Sequence, residues 1–147
     1  MDNTMIVEIL LVEDNPRDAE MMIRALRKQN IRNPIHLVED GPAALDFVFC
    51  RGECITRNIL QQPKVILLDL KLPKISGLEV LKTIKTDERT RNIPVVIITS
   101  SKEDPDIKAA YAIGANSYVV KPMISDMFID TMSKLGLYWL LVNEPPR

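Results

Sequence analysis

The chain has 147 residues, 46% of them hydrophobic and 27% charged, which supplies one globular domain with a real core and leaves no room for a second. A formal net charge of −1 and a pI near 5.9, with lysines and arginines scattered, exclude the basic footprint of a direct nucleic-acid binder or of a protein held on an anionic membrane. No apolar run reaches the length of a membrane span and the first five residues lack the positive start of a signal peptide, so a cytoplasmic protein is expected.

Residues 6–12 are a mostly apolar, β-branched run ending in two adjacent acids, Glu13 and Asp14, and they predict the first strand. Asn15 and Pro16 open a helix as cap and first-turn residue. Ala19, Met22, Ile23, Ala25 and Leu26 then recur at helical spacing to an end near Gln29 and Asn30. Residues 35–39 read as a short second strand whose His36, the single histidine, lies on the surface. Asp40, Gly41 and Pro42 start a helix through Ala44, Leu45, Phe47 and Val48, closed by Gly52. Residues 53–62 show no period and precede Pro63, which predicts a longer surface connection without chemistry of its own. Cys50 and Cys54 lack the companion ligands of a zinc site and read as ordinary thiols of a reducing compartment.

Val65, Ile66, Leu67 and Leu68 run without a break into Asp69 and Leu70. A strand covered on both faces needs such a run, so it is the central strand of a parallel sheet with Asp69 at its carboxyl end. A loop punctuated by Pro73 and Gly77 leads to a third helix from Leu78 to about Asp87. The fourth strand covers 94–98 and ends in Thr99, Ser100 and Ser101; the fourth helix covers about 104–113 and is stopped by Gly114. The fifth strand covers 117–120 and ends in Lys121 and Pro122, and a last helix runs from about Ser125 to Leu141. Five strands alternating with five helices imply right-handed crossovers. The expected fold is α/β, a doubly wound five-stranded parallel sheet of flavodoxin-like order 2-1-3-4-5 with helices on both faces. One domain is expected over 1–147, with its core at about 6–141, a frayed tail at 142–147 and no separate output domain.

The strand ends carry the chemistry. Glu13 and Asp14 follow strand one, Asp69 strand three, Thr99 strand four and Lys121 strand five, all on one edge. Taken alone, Asp69 reads equally well as a helix-capping acid; its company makes it chemical. Three carboxylates together raise one another's pKa unless a cation sits among them. Magnesium suits such a site, because it takes one or two carboxylates plus a phosphate oxygen and keeps waters. Asp14 and Asp69 offer direct ligands, Glu13 a direct or water-mediated one, and a loop carbonyl after Asp69 completes the set. Lys121 then faces a phosphoryl oxygen and Thr99 another while an aspartate oxygen attacks in line.

From about Ile6 to Leu140 the sequence resembles the receiver domain of two-component response regulators. The residues that carry the resemblance are Glu13 and Asp14, Asp69 followed by Pro73 and Gly77, Thr99, Tyr118, and Lys121 with Pro122. The resemblance implies that Asp69 accepts phosphate from the phosphohistidine of a sensor histidine kinase, with Asp14, Asp69 and the Lys71 carbonyl around magnesium. It implies a switch in which Thr99 moves toward the phosphoryl group and Tyr118 turns inward, altering the surface of helix four, strand five and helix five. It also implies a cis Lys121–Pro122 bond. Glu13 stands where the family more often has Asp. The chain resembles a free-standing subgroup tied to phytochrome kinases as well, through its longer connection before strand three, its Leu72 and Pro73, and the aromatic pair Tyr138 and Trp139 near the end of the last helix.

Residues 137–142 are six successive apolar residues, more than one inward helix face can hide. Leu137, Tyr138 and Trp139 are therefore expected at a homodimer or kinase contact. Alternatives stay open at this point: a phosphorelay intermediate that passes phosphate to a histidine phosphotransfer protein, an aspartate-nucleophile phosphohydrolase, and a flavin module. The hydrolase wants an acid two residues after its nucleophile, where Lys71 stands; the flavin module wants a hydroxyl- and glycine-rich loop where Glu13 and Asp14 would repel phosphate.

Overall fold

A run of aliphatic residues with no polar face must be covered on both sides, and three such runs form the middle of the sheet. The computed structural model describes residues 7–28, 30–121 and 125–139. In chain order its elements are β1 (Ile9–Val12), α1 (Pro16–Lys28), β2 (Ile35–Val38), α2 (Gly41–Val48), a 3-10 turn (Gly52–Cys54), β3 (Val65–Leu68), α3 (Gly77–Lys85), β4 (Val95–Thr99), α4 (Asp104–Ile113), β5 (Ser117–Val120) and α5 (Ser125–Leu137). Every residue of β1, β3 and β4 is buried, whereas β2 and β5 are partly exposed and form the two edges. The strands are parallel in the order β2-β1-β3-β4-β5, as the sequence predicts.

Alternation along each strand sends side chains to two cores. Ile9, Leu11, Val65 and Leu67 meet Met22 and Leu26 of α1 and Met132 of α5 on one face. Leu10, Val12, Ile66 and Leu68 meet Val48 of α2, Leu81 of α3 and Ala110 of α4 on the other. Helix starts are fixed by side-chain acceptors: Asn15 Oδ1 receives the Arg17 N–H at 2.9 Å, Asp40 Oδ1 the Ala43 N–H at 2.8 Å, and Ser76 Oγ the Glu79 N–H at 3.3 Å. No helix among the described residues is long and apolar enough to cross a membrane.

Several boundaries differ from the sequence reading. β1 begins at Ile9; just before it Glu8 still bonds through its backbone to Pro34 and Lys64, and its carboxylate meets Asn33 at 2.9 Å and Lys64 at 3.1 Å. α2 stops at Val48 and not at Gly52: Phe49 leaves helical geometry and Cys50 turns left-handed at φ 56, while Gly52 lies in the 3-10 turn beyond. The connection at 53–62 is pinned and not loose. The Arg57 guanidinium lies 3.7 Å over the Phe47 ring and donates to the Phe47 carbonyl and, at 2.7 Å, to the Gln61 carbonyl. His36 is half-buried and not on the surface, its ring stacked on that of Phe47 with centroids 4.7 Å apart, and burial together with the Arg57 charge lowers its pKa. α3 covers Gly77–Lys85, one residue earlier at its start and two earlier at its end than expected. α5 ends at Leu137, and Tyr138 and Trp139 follow in a wider turn. The expectations for Ile6, for the cis bond before Pro122, for helix through Leu140 and Leu141, and for the tail at 142–147 lie outside the described residues, as do the side chains of Phe128 and Leu137.

Candidate functional site

The ends of parallel strands share an edge, and the backbone carries the ladder one residue past each of them. The Glu13 N–H donates to the Val38 carbonyl at 3.0 Å, the Asp69 N–H to Val12 at 3.1 Å and the Lys121 N–H to Thr99 at 2.8 Å. The side chains of Glu13, Asp69 and Lys121 are thereby set on rigid backbone. Gly77 lets the start of α3 press against this edge: a Cβ there would fall 2.1 Å from the Asp69 carbonyl oxygen and 2.6 Å from Leu70 Cα.

The Lys121 ammonium is the hub. Its Nζ donates to Glu13 Oε1 at 2.6 Å, to Asp18 Oδ2 at 2.9 Å and to Asp69 Oδ2 at 3.0 Å, which uses all three of its N–H groups. Glu13 is only 1% exposed and Asp69 7%. Burial pushes the Glu13 carboxyl up to about 7; the Asp69 charge adds to that push, and Lys121 and the Asn15 N–H oppose it. Burial alone would lower the Lys121 pKa, but its bonds to Glu13 and Asp18 and the charge of Asp69 outweigh it and raise the pKa above the ordinary lysine value. The lysine is thus charged at any physiological pH. Asp69 is held at both oxygens, since its Oδ1 accepts the Lys71 N–H at 3.2 Å.

Glu13, Asp14 and Asp69 each bring a carboxylate oxygen within 4.8 Å of the other two. Opposite ligands of an octahedral magnesium lie roughly 4 Å apart, so small side-chain adjustments would let the three meet one ion. An all-oxygen donor set fits a hard divalent cation, and the exposure of Asp14 leaves such an ion open to water and to a ligand. Lys71 is placed beside Asp69 by its N–H.

Thr99 is fully buried, and its Oγ1 receives the Ser101 N–H at 3.5 Å. The Tyr118 hydroxyl donates to the Ser101 carbonyl at 2.7 Å, and Ser101 Oγ donates to Asp106 Oδ2 at 2.5 Å. Strand-end threonine, β5 aromatic and the first turn of α4 are therefore joined through one loop. Away from this edge, Trp139 is buried in the core shared by α1 and α5, with the Tyr138 ring edge-on at 5.1 Å; Tyr138 itself is 48% exposed. Of the aromatic pair expected at an interface, only Tyr138 faces solvent in the single chain.

Asp18, Ser101 and Asp106 are members of this network that the sequence reading does not single out. The available signal for Asp18 is its distance of four residues from Asp14, about one helical turn along the start of α1. Ser101 and Asp106 carry no such signal, because their partner depends on how the loop after β4 folds.

The model of the response regulator receiver domain matches residues 9–133. The protein named Probable methanogenesis regulatory protein FilR2 of Methanothrix harundinacea is 41% identical over 94% of this chain and 86% of its own. Response regulator Rcp1 of Synechocystis is 35% identical over 90% of this chain and 88% of its own. A crystal structure of the manganese-bound form of response regulator Rcp1, 33% identical, superposes with a TM-score of 0.88 over 96% of this chain and 99% of that one. The phosphorylated cyanobacterial phytochrome response regulator RcpA, 31% identical, superposes with a TM-score of 0.89 over 97% of this chain and all of that one.

Proposed function

Since the chain belongs to the response regulator receiver family, we propose that it is a phosphorylation switch whose acceptor is Asp69. The observation that carries this reading is the Lys121 ammonium held between Asp69 and Glu13 at the sheet edge, with Asp14 open to solvent beside them. An Asp69 oxygen attacks the phosphorus of a phosphohistidine on a sensor histidine kinase in line; the P–O bond forms as the P–N bond breaks, its electron pair returning to the imidazole. Lys121 donates to a phosphoryl oxygen and the Thr99 hydroxyl to another, offsetting charge that grows in the transition state. Glu13, Asp14, Asp69 and the Lys71 carbonyl would hold magnesium, which when bound supplies charge neutralisation between carboxylates and phosphoryl oxygens.

Acting on itself in phosphorylation and dephosphorylation, the protein turns over no separate substrate. The bonds from Thr99 and Tyr118 to Ser101 give the site a route to the surface: Thr99 advancing on the phosphoryl group shifts that loop, Tyr118 turns inward, and α4, β5 and α5 present a changed face to a partner protein. A phytochrome-type kinase is the proposed phosphodonor, supported by the likeness to RcpA. We further propose a cytoplasmic single-domain protein without nucleic-acid contacts of its own, self-associating through the end of α5 around Leu137 and Tyr138. The test of the acceptor is chemical. After acetyl phosphate and magnesium, borohydride reduces an acyl phosphate to an alcohol, so peptide mapping finds homoserine at position 69; homoserine at Asp14 or none at all contradicts the assignment.

A further inference from the structure

An ammonium has three N–H donors, and Lys121 spends all of them on carboxylates at 2.6, 2.9 and 3.0 Å. A tetrahedral donor held at three points is fixed in position as well as in direction. Phosphoryl oxygens on Asp69 lie beyond the oxygens of Asp69 itself, so Nζ has to advance to reach one, and one of its anchors has to yield.

The anchors differ in what their release costs. Glu13 is 1% exposed, and its two oxygens have separate partners, so with Oε2 left for a metal ion, parting Oε1 from Lys121 would still leave a buried carboxylate oxygen that water cannot reach. Asp69 carries the incoming group and stays beside the lysine. The Asp18 side chain is 25% exposed, and it sits in the first turn of α1, where the aligned peptide dipoles favour negative charge. Freed from Lys121, Asp18 can be hydrated where it stands. Its backbone position does not depend on the lysine, because the Asp18 N–H is bonded to Asn15 Oδ1 at 3.2 Å.

We propose that Asp18 is a positioning residue that holds Lys121 back in the unmodified protein and competes with the phosphoryl group for it. The inference rests on the reading of Asp69 as phosphoryl acceptor. It gives the α1 carboxylate a role separate from metal binding: Asp18 sets how much phosphoryl affinity is given up to keep the resting state, acting through Lys121 alone.

The test uses beryllofluoride with magnesium as a phosphoryl mimic on the full chain. Asp18→Asn should lower the half-saturating beryllofluoride concentration by about tenfold, the scale of one partly exposed charge-assisted hydrogen bond. In a Lys121→Met background the same change should give less than half of that gain on a logarithmic scale. An equal gain in both backgrounds means that Asp18 acts as a bulk charge, and it overturns the proposal, as does no gain in the wild-type background. A wild-type chain that takes up no beryllofluoride sinks the acceptor reading instead. The crystal structure of the wild-type magnesium–beryllofluoride complex checks the same point without a variant. Lys121 Nζ should remain bonded to Glu13 and have left Asp18; retention of the Asp18 contact overturns the proposal.

Discussion

Lys121 Nζ lies 2.6 Å from Glu13 Oε1, so a lysine just past edge strand β5 reaches across the ends of β4 and β3 to an acid just past β1. The pair ties the two halves of the sheet together at the edge where the chemistry is proposed. The lysine side chain is 12% exposed and that of the acid 1%, so neither charge is readily hydrated if the other is removed.

Replacing the lysine therefore has a pH-dependent cost. Glu13 already has a folded-state pKa of about 7, above that of a free carboxyl. A raised folded pKa stabilises the protein below the unfolded value, and that stabilisation is lost as pH rises through the folded one. Without Lys121 the Glu13 pKa climbs further, because the ammonium is the larger of the two groups that oppose burial, the Asn15 N–H being the other. Lys121→Met is expected to lose about 3 kcal/mol at pH 8 and clearly less at pH 5, where the carboxyl is protonated. Urea unfolding at the two pH values measures this, and equal losses would mean that Glu13 is not the group left stranded.

Magnesium should stabilise the wild-type fold and depend on Asp14 for doing so. At a hundred times its dissociation constant a ligand that binds only the folded state adds about 2.7 kcal/mol. Among the described residues Glu13 and Asp69 are paired with Lys121 whereas Asp14 has no such cation, so Asp14→Asn should relieve repulsion in the metal-free protein and raise its melting temperature slightly. The same variant should lose most of the magnesium response. Thermal melts with and without magnesium decide it; an undiminished response in Asp14→Asn would place the ion elsewhere.

Gly77→Ala probes how closely α3 must approach the acceptor. The added Cβ would lie 2.1 Å from the Asp69 carbonyl oxygen and 2.6 Å from Leu70 Cα, both backbone atoms with no rotamer to yield. Overpacking of this kind costs about 1–3 kcal/mol or more. The variant should be destabilised and, at a temperature where it is still folded, slower to phosphorylate, because the Asp69 backbone is what moves. Wild-type stability with a wild-type rate would contradict the close approach.

Tyr138 and Trp139 should separate stability from association. Trp139 is buried, and Trp139→Ala is expected to cost about 3–5 kcal/mol in unfolding. Tyr138→Ala, at a side chain 48% exposed, should leave unfolding within about 0.5 kcal/mol of wild type and weaken self-association in sedimentation. A variant at Tyr138 that sediments as wild type would sink the proposed α5 contact.

What the sequence makes legible follows from the range of each interaction. β1, β3 and β4 can be read because an unbroken aliphatic run has few other uses, and the parallel sheet follows from alternation with helices while its order fits the chain length and element count. Glu13, Asp14, Asp69, Thr99 and Lys121 can be read because strand ends in a parallel sheet fall on one edge whatever the details. Asp18 escapes notice because its role depends on the reach of a side chain 103 residues away. The end of α2 is misplaced because Cys50, not a glycine, takes the left-handed turn, and nothing in residues 53–62 announces that Arg57 will stack on Phe47. Trp139 is expected with Tyr138 at a contact because the apolar run exceeds one helix face, and which of the two packs inward is not legible from the run; the wider turn after Leu137 carries Trp139 into the core.

The central claim is that Asp69 takes up a phosphoryl group in a reaction that needs a divalent cation. Intact mass of the protein after incubation with acetyl phosphate tests it most directly, with magnesium, with chelator, and with Asp69→Asn. The account predicts one added phosphoryl group with magnesium, none with chelator, and none on Asp69→Asn under either condition. Equal labelling of Asp69→Asn, or no labelling of the wild type while a known receiver is labelled alongside it, would contradict it.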